Sequence, residues 1–378
     1  MSRKLTVTYM IDVLDTDLAG TENQLIKLIN GLDKNRFRVR LLCLSDHPWF
    51  RANVATLACD AKTFNIRRFK RVGTYVDFVN LIHTLRQDRP DIVHTFFPVS
   101  NIVGVLAARI AGVKTIISSR RDYGEWMTPT YLAATRFANR FVTAVVANSR
   151  PVGDLTRQRE AVNNGRLQVI PNGLDLTQFN GLAPDLAIKK RLTISENTKV
   201  IGLVANFRPM KHHDTLVRAA KAILKVRDDV TFLLVGDGPL ERQTKALSRS
   251  LGVRHHFVFA GSQKEVRPYL SIMDIGVNCS EAEGLSNAIM EYMAAGIPCI
   301  VSRAGGNPDL IDDNINGYTF ELGDDEALAS LVIKLLDDQQ TRERFIRNSR
   351  EMIRSEMSLD HMLSAHQSLY QRLADGRP

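Results

Sequence analysis

Two glutamates eight positions apart, Glu283 and Glu291, lie in the chemically richest stretch of the chain. It reads Glu283-Gly284-Leu285-Ser286-Asn287-Ala288-Ile289-Met290-Glu291-Tyr292-Met293-Ala294-Ala295-Gly296-Ile297-Pro298-Cys299-Ile300-Val301-Ser302. Gly284 lets a ligand come close to the backbone. Ser286 and Asn287 are good caps for the helix that the following apolar spacing predicts. Unsatisfied N–H groups at such a helix start form an anion site suited to phosphate. Glu291, a turn or more past the cap, offers acceptor oxygens only, which suits a ribose diol. Gly296-Ile297-Pro298 then closes the helix before the next buried strand. The plain alternative is a capped surface helix with two solvated glutamates.

These residues need a loop and a helix start held at the end of a strand, and the chain is patterned to supply one. Short β-branched runs alternate with longer amphipathic stretches throughout. In the first half, strands are predicted over residues 5–10, 37–44, 91–95, 114–118, 142–147 and 168–170, with helical patterns such as 22–32, 75–85 and 102–110. In the second half, strands are predicted over 199–204, 230–235, 256–259, 274–278, 298–301 and 317–320. Helices there include 215–226, 239–251, 265–272 and 285–295, and the chain ends in helical sequence over 324–336, 340–357 and 360–373. Such alternation argues for parallel sheets covered on both faces. Two series imply two Rossmann-like domains, over 1–180 and 195–358, with a helical end at 359–378 that can cross back to the first domain. The boundary is expected within 180–197, after the turn Pro171-Asn172-Gly173 and around Gly181 and Pro184.

Composition narrows the class. Apolar residues at 44% and charged residues at 24% are ordinary for a water-soluble chain. The most apolar early stretch, residues 5–14, is too short for a span and contains Asp12, so it reads as neither span nor signal peptide. Cys43, Cys59, Cys279 and Cys299 lie far apart without a CxxC, which points to reduced thiols in a cytoplasmic protein. The net charge of +9 is uneven. Residues 1–180 carry about 25 Lys and Arg against about 15 Asp and Glu, while the remainder is close to neutral. A basic half suggests an anionic partner. No nucleic-acid-binding module is present, so a membrane surface or a phosphate-bearing acceptor is favoured over nucleic acid. The densest basic run, Arg67-Arg68-Phe69-Lys70-Arg71, interleaves cations with apolar residues and suits an anionic membrane. His94 ends a predicted strand and is either cleft-facing or a satisfied core histidine.

A Glu, seven residues, a second Glu and an Ala-Gly-x-Pro helix end together resemble the signature of the retaining, family 4 (group 1) glycosyltransferases. The resemblance implies an α/β GT-B fold, two Rossmann-like domains facing across a cleft. It implies that Arg208 and Lys211, in Asn206-Phe207-Arg208-Pro209-Met210-Lys211, hold the diphosphate, where two cations stabilise a leaving group as its charge develops. The family usually has a glycine next, where this chain has His212, which predicts a less tight loop. Ala19-Gly20-Thr21-Glu22 stands for the family's Gly-Gly-x-Glu and keeps Gly20 alone for the donor phosphate. Asp237, in Val235-Gly236-Asp237-Gly238-Pro239, falls in the turn that the family places near the nucleotide. Gly305-Gly306-Asn307-Pro308-Asp309, Asn148-Ser149 and Pro171-Asn172-Gly173-Leu174-Asp175 match further family turns and read mostly as architecture. Arg120 occupies the place of a family histidine facing the donor sugar, and Arg120 or Asp122 would contact sugar hydroxyls or an anionic acceptor.

The expected reaction is transfer of a sugar, with retention, from a nucleotide diphosphate-sugar, most readily a UDP-sugar, to a glycan or lipid-linked acceptor in polysaccharide or glycoconjugate synthesis. Glu283 would touch donor-sugar hydroxyls, Glu291 the ribose, and Gly284, Leu285, Ser286 and Asn287 the donor around the helix start. No cofactor is implied. No metal is expected either: two cations are expected to take the place that an Asp-x-Asp in the cleft loops would fill. Two rivals remain: a GT-B-shaped nucleotide-binding scaffold with little activity, and a GT-B nucleotide-sugar epimerase.

Overall fold

The computed structural model describes residues 3–17, 20–66, 72–124 and 127–376 of the chain. Contacts divide it into two units, Met1–Gly173 with Leu359–Pro378, and Leu174–Ser358.

Among the described residues, the first unit carries a seven-stranded parallel sheet. Its strands are β1 (Leu5–Ile11), β2 (Phe37–Cys43), β3 (Asp60–Thr63), β4 (Ile92–Phe96), β5 (Thr115–Arg120), β6 (Ala144–Ala147) and β7 (Leu167–Val169), in the order β3-β2-β1-β4-β5-β6-β7. In register, Val7 lies opposite both Val39 and Ile92. Strands β4, β5 and β6 are buried along their whole length and show no alternation of buried and exposed positions, although β4 carries His94 and Thr95 and β5 ends in Ser118-Ser119-Arg120. Strand β3 was not expected. Its sequence, Asp-Ala-Lys-Thr, has no apolar run, and at the sheet edge it is only half covered. Helices not named from sequence cover Pro48–Asn53, Pro129–Ala138 and Arg150–Glu160, each opened by a side-chain cap and a proline in the first turn. The final helix, Leu359–Ala374, buries Met362, Leu363, Leu369 and Tyr370 in the same core as Val7, Tyr9 and Leu25.

The second unit carries a six-stranded parallel sheet among its described residues. Its strands are β8 (Lys199–Val204), β9 (Val230–Val235), β10 (Phe257–Gly261), β11 (Ile275–Asn278), β12 (Cys299–Ser302) and β13 (Gly317–Phe320), ordered β10-β9-β8-β11-β12-β13. The segment 180–197, expected to be a linker, belongs to this unit. Leu174, Phe179, Ile188 and Ile194 are buried in its core beside Leu285 and Tyr292, and the Leu174 amide donates to the Met357 carbonyl at 2.9 Å. The contacts therefore divide at Gly173, ahead of residue 180.

Strand order reverses between β1 and β4 in the first sheet, and between β8 and β11 in the second. Loops leaving the carboxyl ends of these neighbours diverge to opposite faces and open a crevice, the usual ligand position in such sheets.

Candidate functional site

In the second unit, the crevice is walled by the loop after β8, residues 205–212, and the loop after β11, residues 279–286. Glycine makes the packing beneath it possible. A Cβ on Gly276 of β11 would lie 2.6 Å from the Tyr292 ring, and the Tyr292 hydroxyl in turn accepts from the Val204 amide of β8 at 2.7 Å. Helix Asn287–Ala295 is thereby fixed to both strands of the crevice. Its cap is Ser286, as expected, with Oγ accepting from the Ile289 amide, and it closes at Gly296 in a left-handed turn. Gly284, Leu285 and Ser286 are buried, Asn287 is half-buried at the first turn, and Glu291 is half-buried one turn further on.

Lys211 and Glu283 meet across the crevice in an ion pair, both largely shielded from solvent. Burial alone would raise the Glu283 carboxyl. The Lys211 charge, with hydrogen bonds from Lys211, Ser280 and Ser286, outweighs burial and holds it below the usual carboxylate range. The loop carrying Lys211 is as tight as a glycine would make it. His212 adopts the left-handed conformation at φ 44°, where the sequence predicted a looser turn. Its Nε2 lies 3.1 Å from Glu281 Oε2, and the Glu281 amide donates to the Met210 carbonyl at 2.9 Å, so the two loops are laced together. Arg208, on the same loop, is exposed. With Pro209, His213, Leu240 and Gln243 it lines a groove of about 470 Å³. Asp237 is exposed, and the Asp237 carbonyl accepts from the Phe207 amide at 2.8 Å. Gly236 and Gly238, both at positive φ, press that turn against residues 205–207.

In the first unit the structure corrects two expectations. Arg120 does not face a ligand. Its guanidinium grips Glu160 through Nε and Nη2 at 2.7–2.9 Å, and donates to Ser118 Oγ, the Ser119 carbonyl and Asn139 Oδ1. All five donors are engaged, and the side chains of Arg120 and Glu160 are 5% and 4% exposed. His94 is a core residue, held at 2.8 Å by both the Tyr370 hydroxyl and Ser119 Oγ. Burial keeps its imidazole well below the usual range and therefore neutral. Asp122 is exposed and accepts from the Gly124 amide at 2.9 Å, which makes it a turn residue.

The neighbouring arginine is better placed for a ligand. Arg121 follows β5 at its carboxyl end, donates to Asn172 Oδ1 and lies 6.0 Å over the Phe96 ring. Burial lowers it to about 10, against the raising effect of Glu22. Glu22, in the first turn of helix Gly20–Gly31, is pushed up to about 7, first by burial and then by Asp15, with Arg121 opposing. Gly20 is exposed at the start of that helix; Ala19 and the run Arg67-Arg68-Phe69-Lys70-Arg71 lie outside the described residues. Sequence reasoning passed over Arg121, Asn278 and Ser280. Asn278 and Ser280 carry one available signal: each is polar in or next to a run that is otherwise buried. Among the described residues, no three His, Cys, Asp or Glu side chains gather as a metal site.

Paired doubly wound units, with a cation and a carboxylate at a helix start on the switch point of the second, define a GT-B architecture. The structure of Anabaena HepE in complex with UDP shares it at a TM-score of 0.85 and 19% identity, covering 97% of this chain and 100% of that one. A glycosyltransferase structure from Rickettsia africae aligns at 0.85 and 20% identity, covering 98% and 99%. The model of the group 1 glycosyl transferases matches residues 185–352, and that of glycosyltransferase family 4 matches residues 18–178. The Escherichia coli UDP-Gal:alpha-D-GlcNAc-diphosphoundecaprenol alpha-1,3-galactosyltransferase is 25% identical over 85% of this chain and 86% of its own length. A GDP-mannose-dependent phosphatidylinositol monomannoside mannosyltransferase of Mycobacterium tuberculosis is 28% identical over 66% and 68%. The chain belongs to the family 4, group 1 glycosyltransferases, enzymes that use nucleotide-sugar donors.

Proposed function

We propose that this enzyme transfers a sugar from a UDP-sugar to a lipid-linked or glycan acceptor, with retention of anomeric configuration and without a metal ion. The observation that carries the reading is the Lys211–Glu283 pair beside the Ser286 helix start, at the switch point of the second sheet. In this reading Arg208, Lys211 and the amides behind Ser286 receive the diphosphate. Glu283 takes donor-sugar hydroxyls and Glu291 the ribose. In the same reading the reaction runs on one face of the sugar, and the leaving phosphate itself assists deprotonation of the acceptor. UDP is favoured over GDP by the E. coli relative, which covers far more of the chain than the mannosyltransferase does. The same relative's printed acceptor, a lipid diphosphate, supports the lipid-linked reading.

The test is turnover of a panel of UDP- and GDP-sugars in EDTA, for the parent, Arg208→Ala and Lys211→Ala. Each cation is worth about 3 kcal/mol to the departing diphosphate, so each variant should lose about 100-fold in kcat. Unchanged turnover in both variants, or parent activity restored only by Mg²⁺, contradicts the reading.

Peripheral attachment to an anionic membrane belongs to the same proposal. No helix among the described residues is long and apolar enough to cross a membrane. Tyr75, Val76 and Val79 nevertheless stand 56–63% exposed on helix Val72–Asp88, in the chain immediately after the basic run. Cosedimentation with phosphatidylglycerol vesicles but not with phosphatidylcholine vesicles, weakened in a Tyr75→Ser, Val76→Ser, Val79→Ser variant, is the expected result. Equal behaviour with both lipids removes this part of the proposal.

A further inference from the structure

We propose that Asn278 is a positioning residue for the donor loop, one side chain that sets the placement of both Glu283 and the Ser286 cap. Resting on the donor-site reading above, it assigns a role to a residue that does not itself touch the donor. Asn278 ends β11, at the switch point, and is 3% exposed. Its Nδ2 donates to Ser286 Oγ at 3.2 Å and reaches Glu283 Oε1 at 3.4 Å. Its Oδ1 accepts from the Ser280 amide at 2.9 Å and faces Asn307 Nδ2 at 3.4 Å. The backbone donor at Ser280 fixes which end of the amide is oxygen, and so aims the nitrogen at Glu283 and Ser286.

The consequence is directional. Ser286 Oγ already accepts from Asn278 and from the Ile289 amide, which uses both its lone pairs and leaves its proton to donate. The Glu283 carboxylate accepts from Ser280 Oγ and Lys211 and is reached by Asn278 Nδ2, and Ser286 helps to hold it in the charged form. Asn307, fully buried, holds the far end: its Nδ2 also donates to the Ser302 carbonyl and Oγ at 3.1 Å, and Ser302 Oγ donates to the Ser280 carbonyl at 2.6 Å. The backbone is clamped as well. The Gly306 amide donates to the Glu283 carbonyl at 2.8 Å, and a Cβ at Gly306 would lie 2.1 Å from the Gly284 oxygen. Only a neutral amide fills this place. An aspartate would put a second carboxylate beside Glu283, and an apolar residue would leave the Ser286 lone pair and the Ser280 amide unmatched.

The experiment measures kcat/KM for the donor against pH in the parent, Asn278→Ala and Asn278→Asp, with melting temperatures alongside. Asn278→Asp should move the acid limb up by about one pH unit or more. Asn278→Ala should lose about 30-fold at the optimum. A second arm combines Asn278→Ala with Ser286→Ala. Because Asn278 and Ser286 belong to one hydrogen-bonded cluster around Glu283, the double variant should lose little more than the worse single one. This arm decides the matter should the aspartate variant fail to fold. Strictly additive losses, or a folded Asn278→Asp with the parent's pH profile, overturn the inference and leave the donor-site reading standing. A parent that transfers sugar from no donor overturns both.

Discussion

Arg120 and Arg121 are adjacent in sequence and differ in surroundings. Arg120 is the last residue of β5 and turns inward to Glu160, a partner forty positions away that no local pattern reveals. Removing Arg120 leaves the Glu160 carboxylate buried without its counter-ion, a loss of about 3–5 kcal/mol. Arg120→Ala should therefore unfold at markedly lower urea, while donor KM, measured where the variant is still folded, stays near the parent's. A stable Arg120→Ala that has lost turnover would return Arg120 to the ligand. The Ser286 cap and the Gly296 helix end were legible because both depend on neighbours within a few positions, whereas the partner of Glu283, Lys211, lies 72 positions away. His94 was legible only as a pair of alternatives, since Tyr370 and Ser119, which settle it, come from distant parts of the chain.

At the scale of elements, sequence patterning worked where burial is continuous. The predicted spans of β8 and β9 coincide with those observed, because each is a mostly apolar run in the interior of its sheet. Where the chain lies at an edge, as in β3, pairing rather than composition makes the strand, and composition was silent. The His212 turn teaches the same lesson. A residue with a Cβ holds the left-handed conformation because Glu281, on the opposite loop, supports it, and only the assembled crevice supplies that support.

Across the whole molecule, the first unit carries the entire positive excess of the chain and the second is close to neutral. That division was visible in the sequence, and it separates the unit suited to an anionic partner from the one whose crevice is suited to a nucleotide. The expectation of UDP came from the family resemblance rather than from any residue that reads a base.

In the proposed function the second unit binds a nucleoside diphosphate through the helix that starts at Ser286. Calorimetry with UDP, GDP and ADP, for the parent and Glu291→Ala, tests it most directly. The account predicts micromolar binding of UDP and at least tenfold weaker binding by the variant, from loss of hydrogen bonds between a charged group and the ribose. Equal UDP affinity in parent and variant, or binding of none of the three nucleotides, would contradict it.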